Sequence, residues 1–277
     1  MLRVHALLLG SILLAGCGGA EKELPTNVVP IEERGKEEPA AAEPKESEAE
    51  AKKLVARCIA AATEGHPERL EKLKANRLSE TGRQLQGASF VPTNRKIAAV
   101  WPDRFLFSDE SNANGPMKLS IGLRQLVLTF RRNDEPFDPG MPKGYEQVLQ
   151  VDSVGLHWMP TLVPLADPKT VVFGAKKQLI GNQPAETVQA AVPGCPPFTL
   201  WFDEKTSLLG LVTYQHVEGG SSKLNKRQAM SDHKAFAGVM LPTGLEFERN
   251  GVGVETWKVS AWEFPDKIED AVFDQKK

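Results

Sequence analysis

Phe198-Thr-Leu-Trp-Phe-Asp203-Glu-Lys-Thr-Ser-Leu-Leu-Gly-Leu-Val-Thr-Tyr214 is the stretch on which the fold turns. Two runs rich in aromatic and β-branched residues flank Asp203-Glu204-Lys205-Thr206. An Asp at the first of these positions can accept hydrogen bonds from the turn backbone, so the chain reverses there and the runs pair as a hairpin. Downstream, Leu241 to Arg249 and Val252 to Phe264 flank Asn250-Gly251. That dipeptide tolerates the positive φ angles of a two-residue turn and predicts a second hairpin. The scaffold is therefore a meander of antiparallel strands.

The N-terminus carries addressing information. Arg3 precedes the apolar run Val4 to Ala15, too short to cross about 30 Å of hydrocarbon but long enough for the core of a signal peptide. Leu14-Ala15-Gly16-Cys17 then resembles the bacterial lipoprotein box. The resemblance implies cleavage before Cys17 and acylation of its thiol, and two or more acyl chains anchor stably where one binds marginally. Gly18 stands where an inner-membrane retention signal has Asp, so the expected address is the outer membrane, facing the periplasm. The plainer alternative is a secretory signal that happens to contain a Cys.

From Gly18 to Lys52 the chain has ten acidic residues against five basic and almost nothing to bury, the composition of an extended tether. The division expected is a signal peptide over 1–16, a lipidated Cys with its tether over 17–46, and a folded domain over 47–277. Of 34 basic and 36 acidic residues in the chain, removing those of Gly18 to Lys52 and Arg3 leaves 28 and 26. A domain so close to neutral lacks the clustered basic face that nucleic acid demands.

Ser47-Glu48-Ala49-Glu50 matches a capping box, and a helix follows with Leu54, Val55, Cys58, Ile59 and Ala62 on one face. Gly65 ends it, and Pro67 opens a short turn that carries Leu70 and Leu73. Short β-rich runs come next: Lys96 to Val100, Arg104 to Ser108, Met117 to Leu123 and Gln125 to Arg131. Tyr145, Val148, Leu149, Leu156, Met159, Leu162 and Leu165 then approximate helical spacing and predict one or two short helices. Strands resume over Lys169 to Leu179 and Ala185 to Val192.

This order, with Trp-Pro-Asp-Arg-Phe at Trp101 to Phe105, Leu-Trp-Phe-Asp-Glu-Lys-Thr-Ser-Leu-Leu at Leu200 to Leu209 and Val-Met-Leu-Pro-Thr at Val239 to Thr243, resembles the LolA/LppX-like lipoprotein-carrier superfamily over roughly Ala51 to Phe273. The resemblance implies an α+β fold, mainly antiparallel β: a curved open sheet, a half β-barrel, covered by the N-terminal and mid-chain helices and holding lipid or lipoprotein acyl chains. LolA carriers are soluble shuttles, whereas a chain acylated at Cys17 is tethered, as the LppX-type members are.

Strand alternation puts Phe105 and Phe107, then Phe198, Leu200 and Phe202, then Leu245 and Phe247, then Trp257, Val259 and Ala261, on one face each. In a half barrel that face lines a cavity; the alternative is a filled core. Trp158, Met159 and Leu162 would form the lid. No catalytic residue, metal site or cofactor is expected: His66, His157, His216 and His233 stand in no metalloprotease or nucleophile-elbow context. Ser231-Asp232-His233 is the best hydrolase candidate, but strand neighbours point to opposite faces. Sequence does not place Cys58 and Cys195 within bonding distance, so a bridge and a buried apolar Cys58 both stand as readings. The two resemblances together imply an envelope lipoprotein whose partners are lipid or lipoprotein acyl chains and, through lipidated Cys17, the membrane, with an envelope protein as a further candidate partner. A protein-binding module of the envelope, using a sheet edge or Lys223 to Arg227, is the alternative.

Overall fold

The computed structural model describes residues 44–112, 115–180, 183–218 and 222–273. The signal segment, Cys17 and most of the tether lie outside them. Fifteen strands are present among the described residues. They are β1 (Ala75–Gln86), β2 (Ser89–Val100), β3 (Arg104–Ser111), β4 (Met117–Arg124), β5 (Val127–Arg132), β6 (Glu135–Pro136), β7 (Val171–Ile180) and β8 (Gln183–Ala191). There follow β9 (Phe198–Asp203), β10 (Leu209–Glu218), β11 (Ser222–Ser231), β12 (Lys234–Phe236), β13 (Val239–Leu241), β14 (Gly244–Arg249) and β15 (Val252–Glu263). The helices are α1 (Pro44–Ala62), α2 (Tyr145–Asp152) and the single turn α3 (Val163–Ala166).

Thirteen strands form one open antiparallel sheet in the order β6-β5-β4-β3-β2-β1-β15-β14-β11-β10-β9-β8-β7, and β12 and β13 pair apart from it. Both quoted hairpins are there. Asp203 Oδ1 accepts the Lys205 and Thr206 amides at 3.1 and 2.7 Å and turns β9 into β10. Asn250 and Gly251 sit at φ +50° and +76°, joining Arg249 to its partner Val252. β1 and β2 extend well beyond the Lys96 to Val100 run, through Pro92. β3 pairs with β2 only from Thr93 onward, so the missing Pro92 amide costs no bond on that side.

The topology explains the cover. β6 and β7 are opposite edges of the sheet, so residues 137–170 must carry the chain across its whole width. Laid flat, twelve strand spacings would span about 58 Å. α2, eight residues and about 12 Å long, nevertheless packs against both β4 and β10, seven spacings apart. The sheet therefore bends around it.

α1 lies along β7 and β8 with Leu54, Val55, Cys58, Ile59 and Ala62 buried, as the helical spacing predicts. It begins at Pro44, three residues ahead of the Ser47 start. Ser47 caps nothing: its hydroxyl accepts the Gly174 amide of β7 at 3.0 Å. Leu70 and Leu73 are buried on a 3-10 turn, Pro67–Lys74.

Candidate functional site

Beneath α2 is a cavity of about 180 Å³, bounded by β1 to β4, β14, β15 and the segment 145–157. Its apolar lining includes Leu78, Ile97, Ile121, Val148 and Leu149. Of the residues singled out by alternation, Phe105, Phe107, Leu245, Phe247 and Trp257 line it. Phe198, Leu200 and Phe202 do not: they are 0% exposed in the filled core of the other half of the sheet. Val259 is buried on β15 outside the lining. Between Ser79 and Glu80 the β1–β15 register slips by one residue. Trp262 is therefore the buried side chain and Ala261 the half-buried one.

The lid differs from the helical expectation. α2 runs into a π-helical turn, Ser153–Trp158, then a 3-10 turn, Met159–Thr161. Pro160 cannot continue the ladder, and Leu162 adopts φ +61°. This unwinding turns Trp158, Met159 and Leu162 into the core, at 1, 0 and 3% exposure and outside the cavity lining. Trp158 meets Trp101 edge-on, ring centres 5.4 Å apart. Tyr145, Val148, Leu149, Leu156 and His157 face the cavity instead.

Three polar ties hold the cover. The Lys226 ammonium, fully buried, donates to both oxygens of Asp152 at 2.8 Å, and the Tyr214 hydroxyl donates to the same carboxylate at 2.8 Å. Gln228 donates to the Leu156 carbonyl at 2.9 Å. His157 Nε2 is 2.9 Å from the Asn76 side-chain oxygen. Burial pushes the His157 pKa down to about 3, so the ring is neutral and structural. Gly155 lets the π turn approach closely: a Cβ there would lie 2.7 Å from the Tyr214 ring and 3.0 Å from that of Phe198.

The cavity has a charged end. Glu80, Arg95 and Asp109 stand directly opposite one another on β1, β2 and β3. Arg95 donates to Asp109 through Nε at 2.7 Å and Nη2 at 2.9 Å, and to Glu255 through Nη1 at 3.0 Å. Its guanidinium lies 4.0 Å from the Trp257 ring centre. Glu80 is 3.8 Å from Arg95 and 4% exposed. Burial raises its carboxyl to about 8, against the pull of Arg95 and with the push of Glu255 and Asp109. Sequence reasoning missed this cluster, although its signal is simple. Glu80, Arg95, Asp109 and Glu255 each lie two residues from an inward apolar residue, Leu78, Ile97, Phe107 and Trp257 respectively, and so face inward with it.

Solved structures match most of this chain at low identity. A LolA superfamily protein from Nitrosomonas europaea has 12% identity and TM-score 0.49, the match covering 74% of this chain and 96% of that one. A DUF1329 family protein from Desulfovibrio piger has 10% identity and TM-score 0.49 over 82% and 97%. A domain described as an outer membrane lipoprotein-sorting protein, from Vibrio parahaemolyticus, has 10% identity and TM-score 0.45 over 82% and 97%. No family model and no curated protein matches.

The hydrolase candidate is not assembled. Asp232 is at φ +53° in the connection after β11, so it leaves the strand that alternation assumed. Its carboxylate lies 3.5 Å from the Ser231 hydroxyl, and among the described residues no hydrogen bond joins either to the His233 ring. Cys58 and Cys195 are free thiols, each pushed up to about 12 by burial. No described helix is long and apolar enough to cross a membrane.

Proposed function

We propose that this chain is an envelope lipoprotein, anchored through acylated Cys17 and facing the periplasm from the outer membrane, that binds an acyl chain of a lipid or lipoprotein beneath α2 and does no covalent chemistry. The observation that carries it is the apolar cavity between the bent sheet and α2. Binding would be partition: each buried methylene contributes about 0.8 kcal/mol.

The hollow also sets a limit. A buried cavity of about 150 Å³ holds a guest the size of benzene, so about 180 Å³ takes only a short length of chain. The hollow is only partly enclosed, so a longer chain extends from it toward solvent.

Native mass spectrometry of the delipidated Cys17→Ser chain tests this. Uptake of fatty acid or phospholipid is expected, and Val148→Trp, which fills the hollow from α2, should abolish it. A chain that takes up neither lipid would leave an envelope protein-binding module as the better account.

A further inference from the structure

We propose that Arg249 seats the oxyanion of a single-chain amphiphile, a carboxylate or a phosphate monoester, whose tail lies against Leu78, Ile97 and Ile121. This deepens the acyl-binding proposal and rests on it.

The buried polar atoms of the cavity lining that lack a hydrogen-bond partner among the described residues are Glu80 Oε2, Gln86 Oε1, His157 Nδ1, and Nε and Nη1 of Arg249. Gln86 is a neutral amide. Glu80, its carboxyl raised to about 8, is protonated at neutral pH, and His157, lowered to about 3, is uncharged. Arg249 alone among these is a charged group, and a guanidinium has donors and no acceptor. Buried charged donors left without an acceptor are costly, and an oxyanion supplies both the acceptor and the opposite charge.

The carboxylates of the lining are engaged elsewhere. Asp109 accepts from Arg95 and Gln84, Glu255 accepts from Arg95 and Trp257, and Asp152 accepts from Lys226 and Tyr214. None of the three forms an ion pair with Arg249 among the described residues. Lys226 stands directly opposite Arg249 in the β11–β14 register and holds both oxygens of Asp152. That corner therefore holds two cations and one carboxylate, and Arg249 is the cation left over. Its place also suits a head group. Gln86, Ser111, Met117 and Arg249 are the terminal residues of β1, β3, β4 and β14 and line one end of the cavity, while Leu78, Ile97 and Ile121 line it farther along their strands.

Isothermal titration of the Cys17→Ser chain at pH 7 with octanoate, 1-octanol and octylammonium is the test, with inorganic phosphate as a control that has no tail. Octanoate should bind about tenfold or more tightly than 1-octanol, and octylammonium no better than the alcohol. Arg249→Gln should abolish the preference and leave 1-octanol unchanged, whereas Arg249→Lys, which keeps the charge, should retain part of it. Equal affinity for octanoate and 1-octanol, a preference for octylammonium, or an octanoate preference that survives Arg249→Gln would overturn the seat while leaving acyl binding intact. If Arg249→Gln loses 1-octanol binding as well, Arg249→Lys decides: absence of the octanoate preference from a variant that still binds 1-octanol overturns the seat. Inorganic phosphate that displaces octanoate at equal concentration would overturn the amphiphile in favour of a small-anion site. Failure of all three octyl probes to bind would remove the acyl-binding proposal and the seat with it.

Discussion

One sheet carries two unlike halves. In the half toward β7, inward residues of β8, β9 and β10 such as Val188, Leu200, Phe202 and Val212 are 0% exposed, and Cys58 of α1, the helix along β7 and β8, is equally sealed. Under α2, the same alternation on β1 to β4 leaves a hollow with a charged end. Alternation is shared, so strand pattern does not make the difference; the cover does. α1 is a continuous helix lying along β7 and β8, so its apolar stripe meets the strands along its length. The mid-chain segment must instead cross the sheet from β6 to β7. It rests on β4 and β10 and unwinds on the way, bridging the strands between without filling the space above them.

The largest expected effect breaks the solid half. Phe202→Ala should cost about 3 to 5 kcal/mol in denaturant unfolding, because a ring removed from a filled core leaves a new cavity. Phe105→Ala, which widens a hollow already present, should lose mainly the transfer contribution, about 1.5 to 3 kcal/mol. Equal losses at the two sites would show that the halves are packed alike. Additions should sharpen the contrast in the opposite sense. Val212→Phe overpacks and should cost about 1 to 3 kcal/mol. Val148→Trp, pointing into the hollow, should change stability by less than about 1 kcal/mol while removing lipid uptake. A strongly destabilised Val148→Trp protein would mean that the space is filled in solution.

Much of this was legible in the sequence, and the rest was hidden for identifiable reasons. Asp203 and Asn250-Gly251 act within a few residues, so both hairpins could be read directly, as could the α1 stripe from Leu54 to Ala62. Phe105, Phe107, Leu245, Phe247 and Trp257 share the hollow because alternation is local too. Phe198, Leu200 and Phe202 were equally well read as inward-facing, but which cover lies above a strand depends on β6 and β7 being opposite edges. That is a long-range fact no window contains. Trp158, Met159 and Leu162 escaped because a π turn and Pro160 break the 3.6-residue period on which the lid was drawn. Ala261 gave way to Trp262 because one bulge shifts every later residue.

A further effect, on stability against pH, separates Glu80 from His157, two of the buried titratable groups in the hollow half. Glu80 is raised from 4.5 to about 8. The folded chain therefore holds its extra proton, and stability from this group is complete below pH 4.5 and lost as pH rises through 8. His157 is lowered from 6.5 to about 3, so its contribution is complete above pH 6.5 and lost as pH falls toward 3. The two slopes oppose each other between pH 4.5 and 6.5, and only Glu80 acts between 6.5 and 8. Melting temperature should accordingly be nearly flat across the lower window from these groups and fall across the upper one, by an amount on the order of 1 to 2 kcal/mol. Glu80→Gln removes one slope and exposes the other: its melting temperature should rise from pH 4.5 to 6.5 and then hold steady to pH 8. If the variant still loses stability between pH 6.5 and 8 as the parent does, Glu80 is already ionised at neutral pH. The hollow half would then carry one more negative charge at neutral pH.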